Sequence, residues 1–475
     1  MDLALAERPR SERKEPEMPI PLPIIKFFIR TGIAQRIPAV RALVPEPAYL
    51  RFYSDRILMA PNEPVRDMNN YLNRATPDCI DLSLGAPFEE ALKPHPPAVQ
   101  ELLGGSGYPP SVGMRELRAA VAHKLANGNA IDVDANDEVA ITNGVSQAIH
   151  VVFDTFVNPG DKIVLLDPTF LVYSLAAQYH RARVVWVPSR LECGRTKPDP
   201  RALERAMKRA KLIVLNSPSN PTGGILEPET LERILALATR NDVLVLSDEV
   251  YERFQYDGVH VSPASLCGAR ERTITVNSFS KSHAMAGSRI GYIAANRHLM
   301  RPMSVHQFIA TPFAALASQR LALRALSEST ERARQVLDTY DARRHWMHRQ
   351  LGSVGLNCDM PAGAFYFWVP IRQFGVSSLE FAHGLLASQR VLLMPGENFG
   401  PSGARYIRIS YAAPQAKLEE GCSRISKFVE LLRGGEKIDK SVRFDPAHST
   451  PAMPNQIVHN TVGRSSGRNR TVAGQ

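Results

Sequence analysis

Paired cysteines are missing from this sequence. Its five, Cys79, Cys193, Cys267, Cys358 and Cys422, are isolated and odd in number, with no C-x-x-C. That argues against a disulfide framework and a structural zinc site, so no metal is expected and a reducing cytoplasm is the simplest compartment. No apolar run reaches the ~20 residues that a membrane-spanning helix needs, so no stable membrane insertion is expected. The opening stretch, MDLALAERPRSERKEPEMP, mixes Glu with Arg and has no apolar centre. It fits neither a secretory signal nor a mitochondrial transit peptide. Zinc-finger spacing, an RNA-binding aromatic signature and a repeat of fixed period are absent too. The formal net charge of +10 is spread along the chain, not gathered into one stripe or arm, so no nucleic-acid partner is expected.

What is present is globular composition. The chain has 475 residues, 44% hydrophobic and 22% charged, enough for a large core and two domains. Residues 1–80 read as an N-terminal arm or extension joining the smaller domain. Within it, PIIKFFIRTGIAQRIPAVRAL is apolar and basic; packing on its own protein or on a partner subunit is the favoured reading, and contact with a membrane surface the alternative. A regular body follows over 81–310. ELRAAVAHKL, GVSQAIHVVFDTFV, FLVYSLAAQYH, PRALERAMKRA and PETLERILALATR carry apolar residues at helical spacing. EVAIT, DKIVLLDP, RVVWVP, KLIVLNSP, VLVLSDE and TITVNSF read as strands between them. Such alternation predicts an α/β fold with a mostly parallel central sheet flanked by helices. Residues 311–433 open with a long helical region and continue with short strands and helices, a smaller α+β domain. Residues 434–475 are polar and aperiodic and read as a disordered tail.

In an open parallel sheet, ligands bind beyond the carboxyl ends of the strands. Polar residues gather at those ends: Asn143 and Gly144, Asp167 and Pro168, Asn216 to Asn220, Asp248, and Ser278 to Lys281. Lys281 is the one that matters most. A lysine taken at random sits on the surface, but this one follows a buried strand in VNSFSKSHAMAGSRIGY. Ser278, Ser280 and Arg289 lie near it in sequence and suit a phosphate. A reactive lysine beside a phosphate cradle suggests a Schiff base with a phosphorylated aldehyde cofactor.

S-x-S-K followed by G-x-R-x-G-Y resembles the pyridoxal-phosphate attachment site of the class I/II aminotransferases, proteins of the aspartate aminotransferase fold (fold type I). The resemblance spans roughly 81–432 and implies the following roles. Lys281 carries the cofactor and acts as the general base. Asp248, in SDEVY, pairs with the pyridine nitrogen, although alone it would read as a helix N-cap. Tyr251 and Asn220, the latter in NSPSNPTGG, bond the phenolic oxygen. Val145 and Ser146, at a helix start, contact the phosphate with Ser278, Ser280 and Arg289. Phe170, in DPTFLVY, stacks on the ring. Tyr108, in GYPPSVGMRELRAAVA, reaches the phosphate of a neighbouring subunit's site, which implies a homodimer. Gly85, in LSLGAPFEE, lies near the substrate carboxylate, and Arg408, in ARYIRISYA, grips it. PAGAFYFWV and LLMPGENFG match further segments of the smaller domain.

The implied reaction moves an amino group from an L-amino acid to a 2-oxo acid. A lyase or decarboxylase on the same fold is the alternative, because the site alone does not decide which bond breaks. From another class, an aminotransferase-like regulatory protein would need a DNA-binding segment that the chain before 81 does not display. His283 is left open between pocket and packing.

Overall fold

Strands that are apolar on both faces need cover on both faces. The computed structural model describes residues 78–87, 107–328 and 331–435 and supplies that cover. In chain order the main elements are β1 (Ile80–Asp81), α1 (Arg115–Asn129), β2 (Val139–Thr142), α2 (Gly144–Phe156), β3 (Lys162–Asp167), α3 (Leu171–Tyr179), β4 (Arg183–Glu192), β5 (Arg195–Pro198), α4 (Pro200–Met207), β6 (Leu212–Asn216), α5 (Pro228–Asn241), β7 (Leu244–Asp248) and β8 (Thr273–Ser278). The one-turn α6 (Phe279–Ser282), β9 (Gly291–Ala294), α7 (Arg297–Ala310), α8 (Leu316–Ser327), α9 (Glu331–Ser353), β10 (Tyr366–Pro370), α10 (Ser378–Gln389), β11 (Val391–Leu392), β12 (Met394–Pro395), β13 (Tyr406–Ser410) and α11 (Gln415–Arg433) complete the series.

The central sheet has eight strands in the order β2-β9-β8-β7-β6-β3-β4-β5. From β8 through β4 every pairing is parallel. β9 runs antiparallel to both β8 and β2, and β5 is an antiparallel edge on β4. On one face Val164, Ile213, Leu215 and Val245 pack against Leu203 and Ala206 of α4 and Ile234 and Ala238 of α5. Farther along the same face, toward β2, Ile141 and Tyr292 pack with Leu117 and Val121 of α1 and Ala322 of α8; Leu165, Val214, Leu246 and Ile274, which point to the opposite face, are buried as well. Burying each such Val, Leu or Ile stabilises the fold by roughly 2 kcal/mol.

A polar network fastens α1 to the sheet. Lys124 Nζ pairs with Glu252 and donates to Asn129 Oδ1 at 2.8 Å. Asn129 Nδ2 in turn donates to Glu252 Oε2 at 2.8 Å.

A second, antiparallel sheet runs β10-β13-β12. β1, near the start of the described chain, pairs in parallel with β11. The region expected as one long helical stretch is two helices, α8 and α9. Among the described residues no helix is long and apolar enough to cross a membrane. The expected arm before residue 78 and the expected tail from 436 lie outside the described residues.

Candidate active site

The parallel strands end in the residues that face the crevice. Asp248 closes β7 and is buried. Its Oδ2 accepts from the Tyr173 hydroxyl at 2.6 Å, and its Oδ1 from the Val250 N–H at 3.2 Å. Burial pushes the Asp248 carboxyl up to about 6, against the pull of those two hydrogen bonds.

Ser278 closes β8 and caps α6, its hydroxyl accepting from the Ser280 N–H at 3.2 Å. That turn presents Lys281, whose Nζ donates to the Gly85 carbonyl. Burial draws the Lys281 amine down to about 8; the charges of Arg408 and Arg289 add to this, while Asp248 opposes it. Gly85 has no room for a side chain, since a Cβ there would lie 1.8 Å from the Tyr366 hydroxyl.

Arg408 reaches the same place from β13. One Nη donates to Asn220 Oδ1 at 2.8 Å and the other to the Ser83 carbonyl. The guanidinium lies between two rings, 4.4 Å from the centroid of Tyr366 and 5.0 Å from that of Phe399. Its buried Nε has no hydrogen-bond partner among the described residues. Asn220 is held by a bond from its N–H to Asn216 Oδ1 at 2.8 Å, and Asn216 Nδ2 donates to the Asp248 carbonyl at 3.1 Å. The Tyr251 hydroxyl lies 2.8 Å from that of Tyr366.

The start of α2 forms the other end of the site. Asn143 makes no side-chain cap there, being engaged with Gln147. The first N–H groups of the helix are thus left for another acceptor. Gly144 has φ +75°, and a Cβ on it would lie 2.8 Å from the Arg289 guanidinium. Val145 is buried and Ser146 exposed. Phe170 meets Tyr173 edge-on, with ring centroids 5.9 Å apart.

A model of the family described as aminotransferase class I and II matches residues 77–425. The aspartate aminotransferase of Pyrococcus abyssi is 36% identical over 355 residues, 74% of this chain and 91% of that protein. The aromatic-amino-acid aminotransferase 2 of Thermococcus litoralis is 34% identical over 383 residues, 79% of this chain and 98% of that protein. The crystal structure of the aromatic aminotransferase from Pyrococcus horikoshii superimposes with a TM-score of 0.70 at 32% identity, covering 79% of this chain and all of that one.

The chain belongs to the class I and II aminotransferases.

The relatives favour amino-group transfer over the lyase, decarboxylase and regulatory readings. In this aminotransferase Asn220, Asp248, Tyr251, Lys281, Arg408 and Gly85 come together. Arg289 meets them from the α2 end. Tyr108 does not join them within the chain: it is 87% exposed and stacks on Phe313 at 5.0 Å. His283 packs against Phe279, with its Nδ1 2.8 Å from the Ser282 hydroxyl. Burial, then the charges of Arg253 and Lys124, hold its pKa well below the usual histidine range.

Residue patterns alone missed Tyr173, Tyr366 and Ser402. Tyr173 lies one helical turn past Phe170, a spacing that could have revealed it. Asp167, at the end of β3, accepts from the Ser402 hydroxyl at 2.9 Å and from its N–H. With the Thr169 N–H donating to the Phe399 carbonyl at 2.8 Å, that contact ties the ring over Arg408 to the strand before Phe170.

Proposed function

We propose that this aminotransferase uses pyridoxal 5'-phosphate to move an amino group from an L-amino acid to a 2-oxo acid, with Lys281 as its covalent and proton-transferring residue. The single observation that carries the reading is the placement of the Lys281 amine, which donates to the Gly85 carbonyl and feels the charges of Arg408, Arg289 and Asp248. The residues suit the cofactor chemically. Arg289, Ser278, Ser280 and the uncapped N–H groups at Val145 and Ser146 form a cradle for a phosphate dianion. Filling the Gly144 position would crowd the Arg289 guanidinium out of it. The partnerless buried Nε of Arg408 suits a carboxylate.

When bound, pyridoxal phosphate supplies an aldehyde that captures amines and a ring that draws electrons from them. Asp248 holds a proton on the ring nitrogen, and Tyr173 holds Asp248. Tyr251 and Asn220 would donate to the cofactor's phenolic oxygen, and Phe170 would cover its ring. Arg408, with Gly85 beside it, orients the substrate carboxylate. The Lys281 Nζ would act as the general base, accepting the substrate Cα proton and carrying it as an ammonium until it is handed on.

The subunit acts as a homodimer in which Tyr108 serves the neighbouring subunit's phosphate site. Val305, Phe308 and Ile309 support this, lying 59%, 58% and 75% exposed on α7. Residues 81–310 are the proposed large domain and 311–433 the small one, with the stretch before 81 joining the small one; the pairing of β1 with β11 supports that joining. The cytoplasm is the proposed compartment.

The test is direct. Wild-type protein incubated with pyridoxal phosphate should gain a visible band that borohydride locks onto the chain, and amino acids should bleach it. Lys281→Ala should abolish both the locked adduct and turnover. Turnover at the wild-type level in that variant sinks the reading.

A further inference from the structure

Strand pairing brings Tyr366 between two parts of the site. Trp368 pairs with Arg408 across β10 and β13. Tyr366, two residues earlier, therefore lies diagonally from Arg408 on the same face of the sheet. Its ring lies 4.4 Å from the guanidinium carbon, and its hydroxyl 2.8 Å from that of Tyr251. Both tyrosines are almost fully buried, at 1% and 4% exposure. The missing side chain at Gly85 makes the space for the Tyr366 hydroxyl, 1.8 Å from where a Cβ would sit.

We propose that Tyr366 is a positioning residue with two separable parts: its ring supports Arg408 against the substrate carboxylate, and its hydroxyl donates to Tyr251, committing the single Tyr251 proton to the cofactor's phenolic oxygen. This rests on the cofactor reading above. A tyrosine has one proton to donate. If Tyr251 spends it on the cofactor, its oxygen can only accept from Tyr366, and accepting strengthens its own donation. A hydrogen bond donated to an anion favours the anion, so the Tyr366 hydroxyl helps keep the phenolic oxygen deprotonated. The ring acts separately, as a flat support for a guanidinium.

The two parts are read by different measurements on the cofactor-loaded protein. One is the pH midpoint of its colour change. The other is the affinity for acetate, which carries a carboxylate and no side chain and so reports on Arg408 whatever the natural substrate is. Tyr366→Phe keeps the ring and loses the hydroxyl: the midpoint should rise by about one pH unit, with acetate affinity unchanged. Tyr366→Leu loses both, and acetate affinity should fall about tenfold as well. Gly85→Ala, which displaces the hydroxyl while leaving residue 366 a tyrosine, should raise the midpoint, and adding Tyr366→Phe to it should raise it no further. An unmoved midpoint in Tyr366→Phe, additive shifts in the double variant, or wild-type acetate affinity in Tyr366→Leu would each overturn the proposal. Lys281→Ala separates the two levels: if it retains the locked adduct, the cofactor reading itself has failed.

Discussion

A lysine amine attacks a carbonyl only when it is neutral, and Lys281 is held where modest changes in pH decide that. Burial favours the neutral form, and the Arg408 and Arg289 charges push the same way, bringing the amine to about 8. The rate of pyridoxal-phosphate capture by the cofactor-free protein should therefore climb with pH up to about 8 and level off above it, where an unperturbed lysine would still be climbing. Stopped-flow absorbance across that range is the measurement, and a profile still rising beyond pH 9 would contradict the burial argument. At this scale the sequence was informative where chemistry is local. Lys281, Ser278, Asp248 and Asn220 each sit in a short segment at the end of a buried strand, so type and position could be read together. Tyr173 and Tyr366 were not legible in that way. Their partners Asp248 and Tyr251 are 75 and 115 residues distant, and only the folded sheet makes them neighbours.

Among the elements, the buried parallel strands β3, β6, β7 and β8 were legible because burial on both faces leaves short runs rich in Val, Ile and Leu, with Thr in β8. β5 and β9 were not. β5 reads Arg-Thr-Lys-Pro, which is polar, and β9 is short and begins with glycine; each owes its place to antiparallel pairing. The junction of α1 with the sheet depends on charge as well as apolar area. Burial alone would push the Glu252 carboxyl up, but Lys124 and His260 outweigh it and hold it at about 2. A carboxyl lowered on folding adds stability above its ordinary range, and that stability fades as pH falls from about 4.5 toward about 2. Lys124→Met leaves Glu252 buried beside no cation from α1, and should cost about 3 kcal/mol at pH 7. Urea unfolding at pH 7 and pH 4 would check both points: the variant should be weaker at pH 7, and the gap to wild type should narrow under acid.

For the molecule as a whole, the fold class followed from the alternation of strands and helices, while the surface did not. Val305, Phe308 and Ile309 occur in a helix of ordinary composition, and only their joint exposure marks an apolar face there. If that face and Tyr108 belong to a homodimer interface, Ile309→Glu should yield monomers by light scattering and a weaker hold on pyridoxal phosphate. A dimer of unchanged mass would remove α7 from the interface. The pairing of β1 with β11 has a consequence for synthesis. Ser83 and Gly85, which receive Arg408 and Lys281, are made early, yet the strand that delivers Arg408 is completed only at Ser410. A ribosome part-way through the message releases enough polypeptide for the eight-stranded sheet, but the contact of Arg408 with Ser83, and with it the proposed hold on a substrate carboxylate, forms only when nearly the whole described chain has emerged.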